Sequence, residues 1–431
     1  MMAMPRFQDV GSRAARFGID QIREFCDVIE NPQKNFRSIH VAGTNGKGTV
    51  CSILASVYKA AGYTTALYTS PHLVDVRERF RINGVMIPPE ELVLFFDLYD
   101  DQLKQYPLTF FELTTAIAFW WFSWKKVDIA IIETGLGGRL DATNIIDPLV
   151  SVITSIGLDH TEQLGNSIES IATEKAGILK PGRLYVTGDI DIRAMKVIQN
   201  VAKTVSSSFF TSGSKVNKLS MTEYVLETED SSFSVRTDLG TPYLGTNIRV
   251  CLDAINAACP VLPVSMNAIS QGLEHICANS GFGGRFQRLH AELDWYFDGG
   301  HNPQALQAVL RHVSEHFPGR NLTIVTSMMT DKFNAEIIDL FKSIDHIFYY
   351  EQESMRALRF IDFRAKIGGA HPIGPEKNKI LETLKYLKTE LVLFTGSFYF
   401  YSTVSEWMES LTHDSNCAET SPSTIIDHKE T

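Results

Sequence analysis

Apolar runs alternate with amphipathic stretches along most of the chain, and this alternation predicts strands followed by helices. Residues 127–133 and 149–156 are continuous apolar, β-branched runs, which is typical of strands buried on both faces. Residues 47–61 carry apolar side chains at helical spacing, and residues 111–124 are apolar almost all round, as expected for a buried helix. The pattern therefore predicts an α/β fold with a doubly wound, mostly parallel sheet.

Two changes in this pattern divide the chain. Residues 206–243 are rich in Ser and Thr and alternate with a period of two, which predicts a small antiparallel insert. The glycine-rich segment 280–284 marks a domain boundary, because a second series of strands and helices begins after it. We therefore predict one domain at 1–284, a smaller α/β domain at 285–412 and a polar, disordered tail at 413–431.

The composition is that of an ordinary globular protein with an acidic balance. Hydrophobic residues make up 44% and charged residues 21%, and the formal net charge is −10. Since a protein that coats nucleic acid needs a basic face, no nucleic-acid partner is expected. No secretory signal is visible and no apolar stretch reaches the roughly 20 residues that span a bilayer, so no membrane partner is expected. Six widely spaced cysteines without a C-x-x-C pair favour reduced thiols and a cytoplasmic location.

The strongest local motif is a glycine-rich loop between a predicted strand and a predicted helix. It consists of Gly43, Thr44, Asn45, Gly46, Lys47, Gly48 and Thr49. Such a loop turns backbone N–H groups towards a phosphate, and the helix N-terminus after it favours an anion. We expect Lys47 to reach the β- and γ-phosphates and Thr49 to offer its hydroxyl group to Mg²⁺. The generic G-x-x-x-x-G-K-[ST] pattern is not matched, because position 41 is Val and a glycine precedes Thr49; a turn needed only for packing is the alternative.

Three more side chains are candidates for the chemistry of this site. Glu133 ends a predicted strand, where open α/β sheets bind ligands, and is either a Mg²⁺ ligand or a turn carboxylate. His160 follows the next strand and is either a metal ligand or an ordinary loop or core residue. Lys175, taken alone, is typical of a solvated helix lysine.

The second domain has two polar clusters at strand-to-helix junctions. The cluster that contains Asp298 and His301 either contacts a nucleotide or caps the following helix. The pair Gly396 and Ser397 favours a purely structural turn.

Taken in order, these motifs and several others resemble the folylpolyglutamate synthases and dihydrofolate synthases of the Mur ligase superfamily. The resemblance runs from about residue 17 to residue 402. The blocks that carry it are HVAGTNGKGT at 40–49, YTSPHL at 68–73, ER at 78–79, ING at 82–84, FE at 111–112, ETGLGGRLDATN at 133–144, DHT at 159–161, LG at 164–165, EKAGI at 174–178, GR at 284–285, DGGHNP at 298–303 and TGS at 395–397. It implies a P-loop, Mur-ligase-like ATP-binding central domain at 1–284 and a Rossmann-like glutamate-ligase domain at 285–412.

The resemblance also implies a role for each matching residue. The ATP phosphates would be bound by the Lys47 loop, and the remaining nucleotide contacts would come from Arg285, Asp298 and His301. The two implied Mg²⁺ ions would be held by Thr49, Ser70 and Glu133, and by Glu133, His160 and Lys175. Lys175 would act as a carbamate formed with CO₂, and a monovalent cation is a further candidate cofactor. The catalytic residues would be Lys47, Glu133, His160 and Lys175, and the substrate contacts Arg79 and Phe111.

The implied reaction joins L-glutamate to dihydropteroate and to folates in one bifunctional, monomeric, cytoplasmic enzyme. The acceptor carboxylate would attack the γ-phosphate of ATP, and the glutamate amine would then displace phosphate from the acyl phosphate. An enzyme with only one of the two activities is the first alternative. Arg77 and Arg81 would contact a polyglutamate tail or the substrate carboxylate, or form a solvated strand edge.

Two other classes of protein remain open but are disfavoured. A Mur ligase that acts on a UDP-linked precursor would carry another N-terminal domain, and only about 40 residues precede the glycine-rich loop. A non-catalytic nucleotide-binding regulator would be expected to lack one of the four implied catalytic residues, and all four are present.

The chain departs from the family pattern at two places. Where the family has a Gly-x-His-Gln stretch followed by an Asn that meets adenine, this chain has Asn247, Ile248 and Cys251, with Asn256 as an alternative in a shifted register. After Asp331 and Lys332, a phenylalanine, Phe333, replaces an expected acid. The first departure leaves the adenine contacts open.

Overall fold

The computed structural model describes residues 18–228, 231–374, 376–387 and 391–419. The chain forms two compact units. Of the described residues, the first unit contains those up to Phe286 together with Gln304–His316, and the second contains Gln287–Pro303 and those from Phe317 onwards. The division after Phe286 lies close to the 284/285 boundary, which itself stays a prediction.

The first unit contains an eight-stranded sheet with a parallel centre. Its strands are β1 (Arg37–Ala42), β2 (Thr65–Tyr68), β3 (Phe80–Ile82), β4 (Val85–Met86), β5 (Ile129–Glu133), β6 (Val150–Ile153), β7 (Leu184–Thr187) and β8 (Ser208–Phe209). Their order is β4-β3-β2-β5-β1-β6-β7-β8, and the β2–β3 and β3–β4 pairs are antiparallel while the other pairs are parallel. The predicted α/β fold with a mostly parallel sheet is confirmed, and β1 lies in the middle of it.

Helices cover both faces of this sheet, as its apolar strands require. They are α1 (Asp20–Val28), α2 (Lys47–Ala60), α3 (Pro89–Gln105), α4 (Phe110–Trp124), α5 (Thr161–Leu164), α6 (Ile168–Ala176), α7 (Ile192–Val205), α8 (Leu244–Ala258), α9 (Met266–Glu274) and α10 (Ile276–Ser280). Helix α4 is buried along most of its length, as predicted, and begins with a capping box between Thr109 and Glu112. Helix α2 is almost entirely buried, because it packs against the sheet on one side and against α8, α9 and α10 on the other.

The predicted antiparallel insert is also present. It is a three-stranded sheet formed by β9 (Lys215–Lys218), β10 (Glu223–Glu227) and β11 (Ser232–Arg236), with β10 in the centre. Tyr224 and Leu226 on β10 are buried in the same core as α2, which explains the period-two alternation in the sequence.

The second unit contains a six-stranded sheet in the order β12-β13-β17-β14-β15-β16. Its strands are β12 (Gln287–Arg288), β13 (Trp295–Asp298), β14 (Leu322–Thr326), β15 (His346–Tyr350), β16 (His371–Ile373) and β17 (Leu391–Thr395). Only β12 pairs antiparallel. Its helices are α12 (Ala335–Lys342), α13 (Phe360–Lys366), α14 (Lys377–Tyr386) and α15 (Phe400–Glu419), whereas α11 (Pro303–His316) is grouped almost entirely with the first unit.

The chain end differs in part from the predicted polar tail. Helix α15 runs to Glu419, so residues 413–419 continue a helix whose earlier turns pack Val404, Trp407 and Leu411 into the core of the second unit. Residues 420–431 lie outside the described residues. None of the helices in the described ranges combines the length and apolarity needed to cross a membrane.

Candidate active site

The register of three neighbouring strands gathers the predicted site residues at one edge of the sheet. On β1, Val41 pairs with Glu133 of β5, and Ala42 pairs with Ile153 of β6. Because the strands are parallel, the glycine-rich loop after β1 lies between the segments that follow β5 and β6. This is the edge at which open α/β sheets bind ligands.

The segment after β6 fixes the shape of the glycine-rich loop. Ser155 accepts the N–H of Thr44 on its carbonyl oxygen and the N–H of Asn45 on its hydroxyl group, each at 2.9 Å. The Thr154 hydroxyl group donates to the carbonyl oxygen of Asn45 at 2.6 Å, and the Thr44 hydroxyl group bonds to both backbone groups of Gly157. The loop is therefore held in place by the protein's own hydrogen bonds.

The entry into α2 requires a glycine and brings an asparagine to the loop. Gly46 has a φ of +87°, which L-residues with a side chain rarely adopt, and a Cβ at this position would lie 2.9 Å from Asn247 Oδ1. Asn247 therefore contacts the loop. Asn256 instead donates to the carbonyl oxygen of Leu252 within its own helix, so the shifted register has no support in the structure.

Two lysine side chains converge on a single carbonyl group of this loop. The ammonium groups of Lys47 and Lys175 each donate to the carbonyl oxygen of Gly43 at 2.9 Å. Lys175 is only 4% exposed, so the interpretation of it as a solvated helix lysine is wrong. The side chain points inwards from α6 and reaches the centre of the sheet edge.

The surroundings of Lys175 disfavour its charged form. Burial, and next the charge of Lys47, lower the pKa of Lys175 from 10.5 to about 7. Asp159 and Asp141 oppose this shift. Near neutral pH, a substantial fraction of Lys175 is therefore an uncharged amine, which lies beside the glycine-rich loop.

Glu133 is the buried carboxylate of the site. It is 4% exposed, and its Oε2 accepts the backbone N–H of Ser70 at 2.9 Å. Burial raises the pKa of Glu133, whereas Lys47, the Ser70 N–H and the charges of Arg285 and Arg79 act in the opposite direction. The structure thus brings Glu133 together with Lys47, Ser70 and Arg285.

His160 lies at the start of α5 with its backbone in the left-handed region, at a φ of +50°. Its N–H donates to Asp159 Oδ1 at 2.9 Å, and its Nε2 lies 3.9 Å from Asp159 Oδ2. Asp159 in turn raises the pKa of Lys175. Asp159 thus contacts His160 and also influences Lys175 electrostatically, and the sequence analysis did not assign it a role.

The proposed substrate residues lie beside Glu133. The Glu78 carboxylate accepts the N–H groups of residues 73, 74 and 75 and so fixes the loop that contains His72. Arg79 is 7% exposed, donates from Nε to His72 Nδ1 at 2.9 Å and lies with its guanidinium carbon 5.3 Å from the centre of the Phe110 ring. The ring of Phe111 lies so close to Gly135 that a Cβ there would be 2.4 Å from Cζ.

The two neighbouring arginines have different surroundings. Arg77 forms an ion pair with Asp75 at 2.7 Å near the surface. Arg81 donates from Nη1 to the carbonyl oxygen of Gly84, and burial lowers its pKa. Neither contact indicates a substrate.

The polar clusters of the second unit are organised by local hydrogen bonds. Asp298 Oδ1 accepts the N–H of Gly300 at 2.8 Å, and His301 Nδ1 lies 3.0 Å from the carbonyl oxygen of Gly299. Ser397, as predicted, forms a structural turn in which its hydroxyl oxygen accepts the N–H of Tyr399. These bonds position the Asp298 and His301 side chains at the carboxyl end of β13.

The departure at Phe333 has a structural reason. Asp331 pairs with Arg356 at 2.8 Å, and the Phe333 ring packs 5.2 Å from the ring of Phe363. The aromatic residue that replaces an acid therefore joins an aromatic cluster of the second unit.

The oxygen donors around Glu133 fit a hard cation such as Mg²⁺. Within the described ranges, no three His, Cys, Asp or Glu side chains are grouped as a metal site. Mg²⁺ does not need such a group, because it is commonly held by one or two carboxylates together with phosphates and waters. The hydroxyl group of Thr134, next to Glu133, is buried and has no hydrogen-bond partner.

Sequence reasoning missed one polar chain beside the site. Asp141, in the segment after β5, accepts the N–H and the hydroxyl group of Thr143, and the buried His40 of β1 bonds to that same hydroxyl group. The D-x-T spacing is a signal for a capping aspartate and was available in the sequence. The link to His40 depends on strand pairing and has no local signal.

Comparison with known proteins agrees with this geometry. The Mur ligase middle domain matches residues 41–249, and the Mur ligase glutamate ligase domain matches residues 284–398. The dihydrofolate synthase/folylpolyglutamate synthase of Bacillus subtilis is 31% identical over 415 residues, which cover 90% of this chain and 94% of the relative. The chain belongs to the dihydrofolate synthase/folylpolyglutamate synthase family. The resemblance inferred from the motifs is therefore confirmed.

Solved structures of the family share the fold. The structure of E. coli FolC in complex with DHPP and ADP is 30% identical, with a TM-score of 0.80, and the match covers 93% of this chain and 95% of that chain. A bifunctional folylpolyglutamate synthase/dihydrofolate synthase with Mn, AMPPNP and L-glutamate bound is 28% identical, with a TM-score of 0.80 and coverage of 92% and 95%. Enzymes of this family are ATP-dependent ligases that form amide bonds.

Proposed function

We propose that this chain joins L-glutamate to dihydropteroate and to folates at the expense of ATP, through an acyl phosphate. The observation that carries the proposal is the convergence of Lys47, the glycine-rich loop and Glu133 at the carboxyl ends of β1 and β5. The ligands of the related structures, DHPP, ADP, AMPPNP and L-glutamate, support the same substrates here.

The nucleotide phosphates bind at the glycine-rich loop. The amides at the N-terminus of α2 face the anion, and Lys47 neutralises the charge of the β- and γ-phosphates. In this structure Lys47 donates to the carbonyl oxygens of Gly43 and Thr44. To contact a phosphate, it would give up the longer of these hydrogen bonds, the one to Thr44 at 3.4 Å. The remaining proposed nucleotide contacts are Arg285, Asp298 and His301.

Glu133 holds a divalent metal in this proposal, with the hydroxyl groups of Thr49 and Ser70. The ligands of a second metal would be Glu133, His160 and Lys175. Bound Mg²⁺ would polarise the γ-phosphate and neutralise the charge that develops on it. The related structure with Mn bound supports a divalent cation as a cofactor here.

Lys175 acts as a carbamate in this proposal. A neutral amine can attack CO₂, so that a C–N bond forms and a proton leaves, whereas an ammonium cannot. The burial of Lys175 and its pKa of about 7 support this modification, because much of the side chain is then neutral near neutral pH.

The acceptor carboxylate lies towards Arg79 and Phe111. Its oxygen attacks the γ-phosphorus atom and ADP leaves; the amine of glutamate then attacks the acyl carbon and phosphate leaves as the amide forms. Arg79 contacts His72 and Phe110, so the position of its guanidinium group is fixed before the substrate binds. We place the monomeric enzyme in the cytoplasm; the five described cysteines are free thiols, which supports a reducing compartment.

Product analysis tests the proposal. The purified protein is incubated with ATP, Mg²⁺ and L-glutamate, with dihydropteroate in one reaction and tetrahydrofolate in the other, and the products are identified by mass spectrometry. We expect addition of glutamate to both acceptors. Addition to one acceptor would leave a monofunctional enzyme, and addition to neither would reject the proposed function.

A further inference from the structure

Two histidines lie one turn apart near the end of α11. His312 and His316 occupy positions i and i+4, so their side chains share one face of the helix. The centres of their rings are 4.2 Å apart, and the ring planes differ by 34°. His312 is 3% exposed and packs edge-on against Phe286, with 4.7 Å between the ring centres, whereas His316 is half-buried. All three residues belong to the first unit.

The hydrogen bonds of both rings leave a lone pair at Nε2. His316 Nδ1 lies 2.9 Å from the carbonyl oxygen of His312. A carbonyl oxygen can only accept, so this Nδ1 carries the proton and the neutral ring has its lone pair at Nε2. The hydrogen bond between the His312 ring and the backbone of Gly240, in the insert, acts to raise the pKa of His312, so the ring donates it. Since His312 Nε2 is buried without a hydrogen-bond partner, the donor is Nδ1.

The surroundings of His312 keep its ring uncharged at neutral pH. Burial, and next the neighbouring His316, lower the pKa of His312 from 6.5 to about 4. Lys218 also lowers this pKa, whereas the Gly240 hydrogen bond and the charge of Glu315 act in the opposite direction. Metal ions bind the neutral form of imidazole, so His312 can act as a ligand without first losing a proton.

This pair of rings is a donor set for a transition-metal ion. A buried nitrogen without a partner is rare in folded proteins, and an ion that binds its lone pair would satisfy it. Imidazoles at i and i+4 of a helix suit Zn²⁺, Cu²⁺ and Ni²⁺, whereas Mg²⁺ prefers oxygen ligands. Within the described ranges no third His, Cys, Asp or Glu completes a group, and Glu315, next to His316, pairs with Arg311 at 2.8 Å. Water molecules would therefore complete the coordination.

We propose that His312 and His316 form a binding site for a divalent transition-metal ion such as Zn²⁺, with the two Nε2 atoms as the protein ligands. The donors are imidazole nitrogens, in contrast to the oxygen donors around Glu133, and the inference does not rest on the proposed function. An ion bound by both rings links two successive turns at the end of α11. With two protein ligands, the site binds Zn²⁺ less tightly than the three- and four-ligand sites of zinc proteins.

Calorimetric titration with Zn²⁺ tests the site, in the presence of excess Mg²⁺ so that oxygen-donor sites are already occupied. Loss of an outer-shell partner alone typically weakens metal binding by about 10–100-fold, so His316→Gln, which removes a ligand, should weaken Zn²⁺ binding at least about tenfold. The matched control is His275→Gln. His275 is exposed and its Nδ1 likewise lies 3.0 Å from the carbonyl oxygen four residues earlier, but no second histidine stands at helical spacing from it. Equal affinity in His316→Gln and the parent protein, or an equal loss in His275→Gln, would overturn the proposal.

A second readout identifies the ligands directly. In ¹⁵N-histidine spectra of the parent protein, Zn²⁺ should move the Nε2 resonances of His312 and His316 together, with one dependence on Zn²⁺ concentration. In His316→Gln, the same Zn²⁺ concentrations should leave the His312 resonance in place. Unchanged resonances of both rings in the parent protein, or changes confined to other histidines, would overturn the proposal.

Discussion

Lys175 and Lys47 share one hydrogen-bond acceptor, the carbonyl oxygen of Gly43, at 2.9 Å from each ammonium nitrogen. Two like charges this close in a buried position favour the loss of one proton, and burial selects Lys175. The arrangement explains why this helix lysine, beside the glycine-rich loop, loses its proton more readily than an exposed lysine does.

The first prediction is that the difference in unfolding free energy between the parent protein and Lys175→Met depends on pH. The pKa of Lys175 is 10.5 in the unfolded chain and about 7 in the folded one, so between these values the unfolded chain holds the extra proton and rising pH favours folding. We expect the free energy of unfolding of the parent protein, relative to that of the variant, to rise with pH over this window by up to about 1.4 kcal/mol per pH unit.

Urea unfolding in CO₂-free buffers at several pH values between 7 and 10 measures this effect. The control is Lys203→Met, which changes an exposed lysine near the end of α7. A stability difference for Lys175→Met that does not depend on pH would contradict the account.

The second prediction concerns phosphate binding by Lys47. Lys47→Met removes the only side-chain charge within the glycine-rich loop, and kcat/KM for ATP should fall by about 10²–10³-fold. Lys59→Met, at the other end of the same helix, should change kcat/KM by less than about twofold. Steady-state phosphate release measures both; comparable losses would show that the helix, and not the loop charge, matters.

The third prediction separates two effects of Gly46. At Gly46, an alanine would have a positive φ and its Cβ would also contact Asn247. At Gly182 the φ is similar, +69°, but a Cβ would lie in open space. Gly182→Ala should cost about 1–2 kcal/mol of unfolding free energy, and Gly46→Ala should cost more and weaken ATP binding. Denaturant unfolding and nucleotide titration test this, and equal costs would contradict the Asn247 contact.

The fourth prediction concerns substrate recognition by Arg79. Arg79→Met removes a buried guanidinium group next to Glu133, and the KM for the folate acceptor should rise at least about tenfold while that for ATP changes little. Arg77→Met is the matched control. Within the described residues, the ion pair of Arg77 is with Asp75, near the surface. If Arg77→Met had the larger effect, the acceptor would lie on the other side of this segment.

Much of the fold follows from local pattern. The buried strands β5 and β6, the apolar helix α4 and the alternating strands of the insert all have a periodicity that a sequence shows directly. The glycine-rich loop is equally visible, because its residues are consecutive.

Features that depend on pairing between distant strands are not visible in this way. The burial of Lys175 depends on α6 delivering its side chain to a carbonyl group 132 positions away. The contact of Asn247 with Gly46 and the bond between His40 and Thr143 likewise join segments that only the folded sheet brings together. Local pattern therefore favoured a solvated lysine and left the asparagine and the histidine without a role.

The most direct test of the account follows oxygen from the acceptor to the released phosphate. The acceptor, with both oxygens of its reacting carboxylate labelled as ¹⁸O, is incubated with the protein, ATP, Mg²⁺ and L-glutamate, and the phosphate is analysed by mass spectrometry. An acyl-phosphate route predicts one ¹⁸O atom in each phosphate released, because the attacking carboxylate oxygen leaves with phosphorus when glutamate forms the amide. Unlabelled phosphate would mean that water, and not the carboxylate, attacks ATP, and would contradict the account.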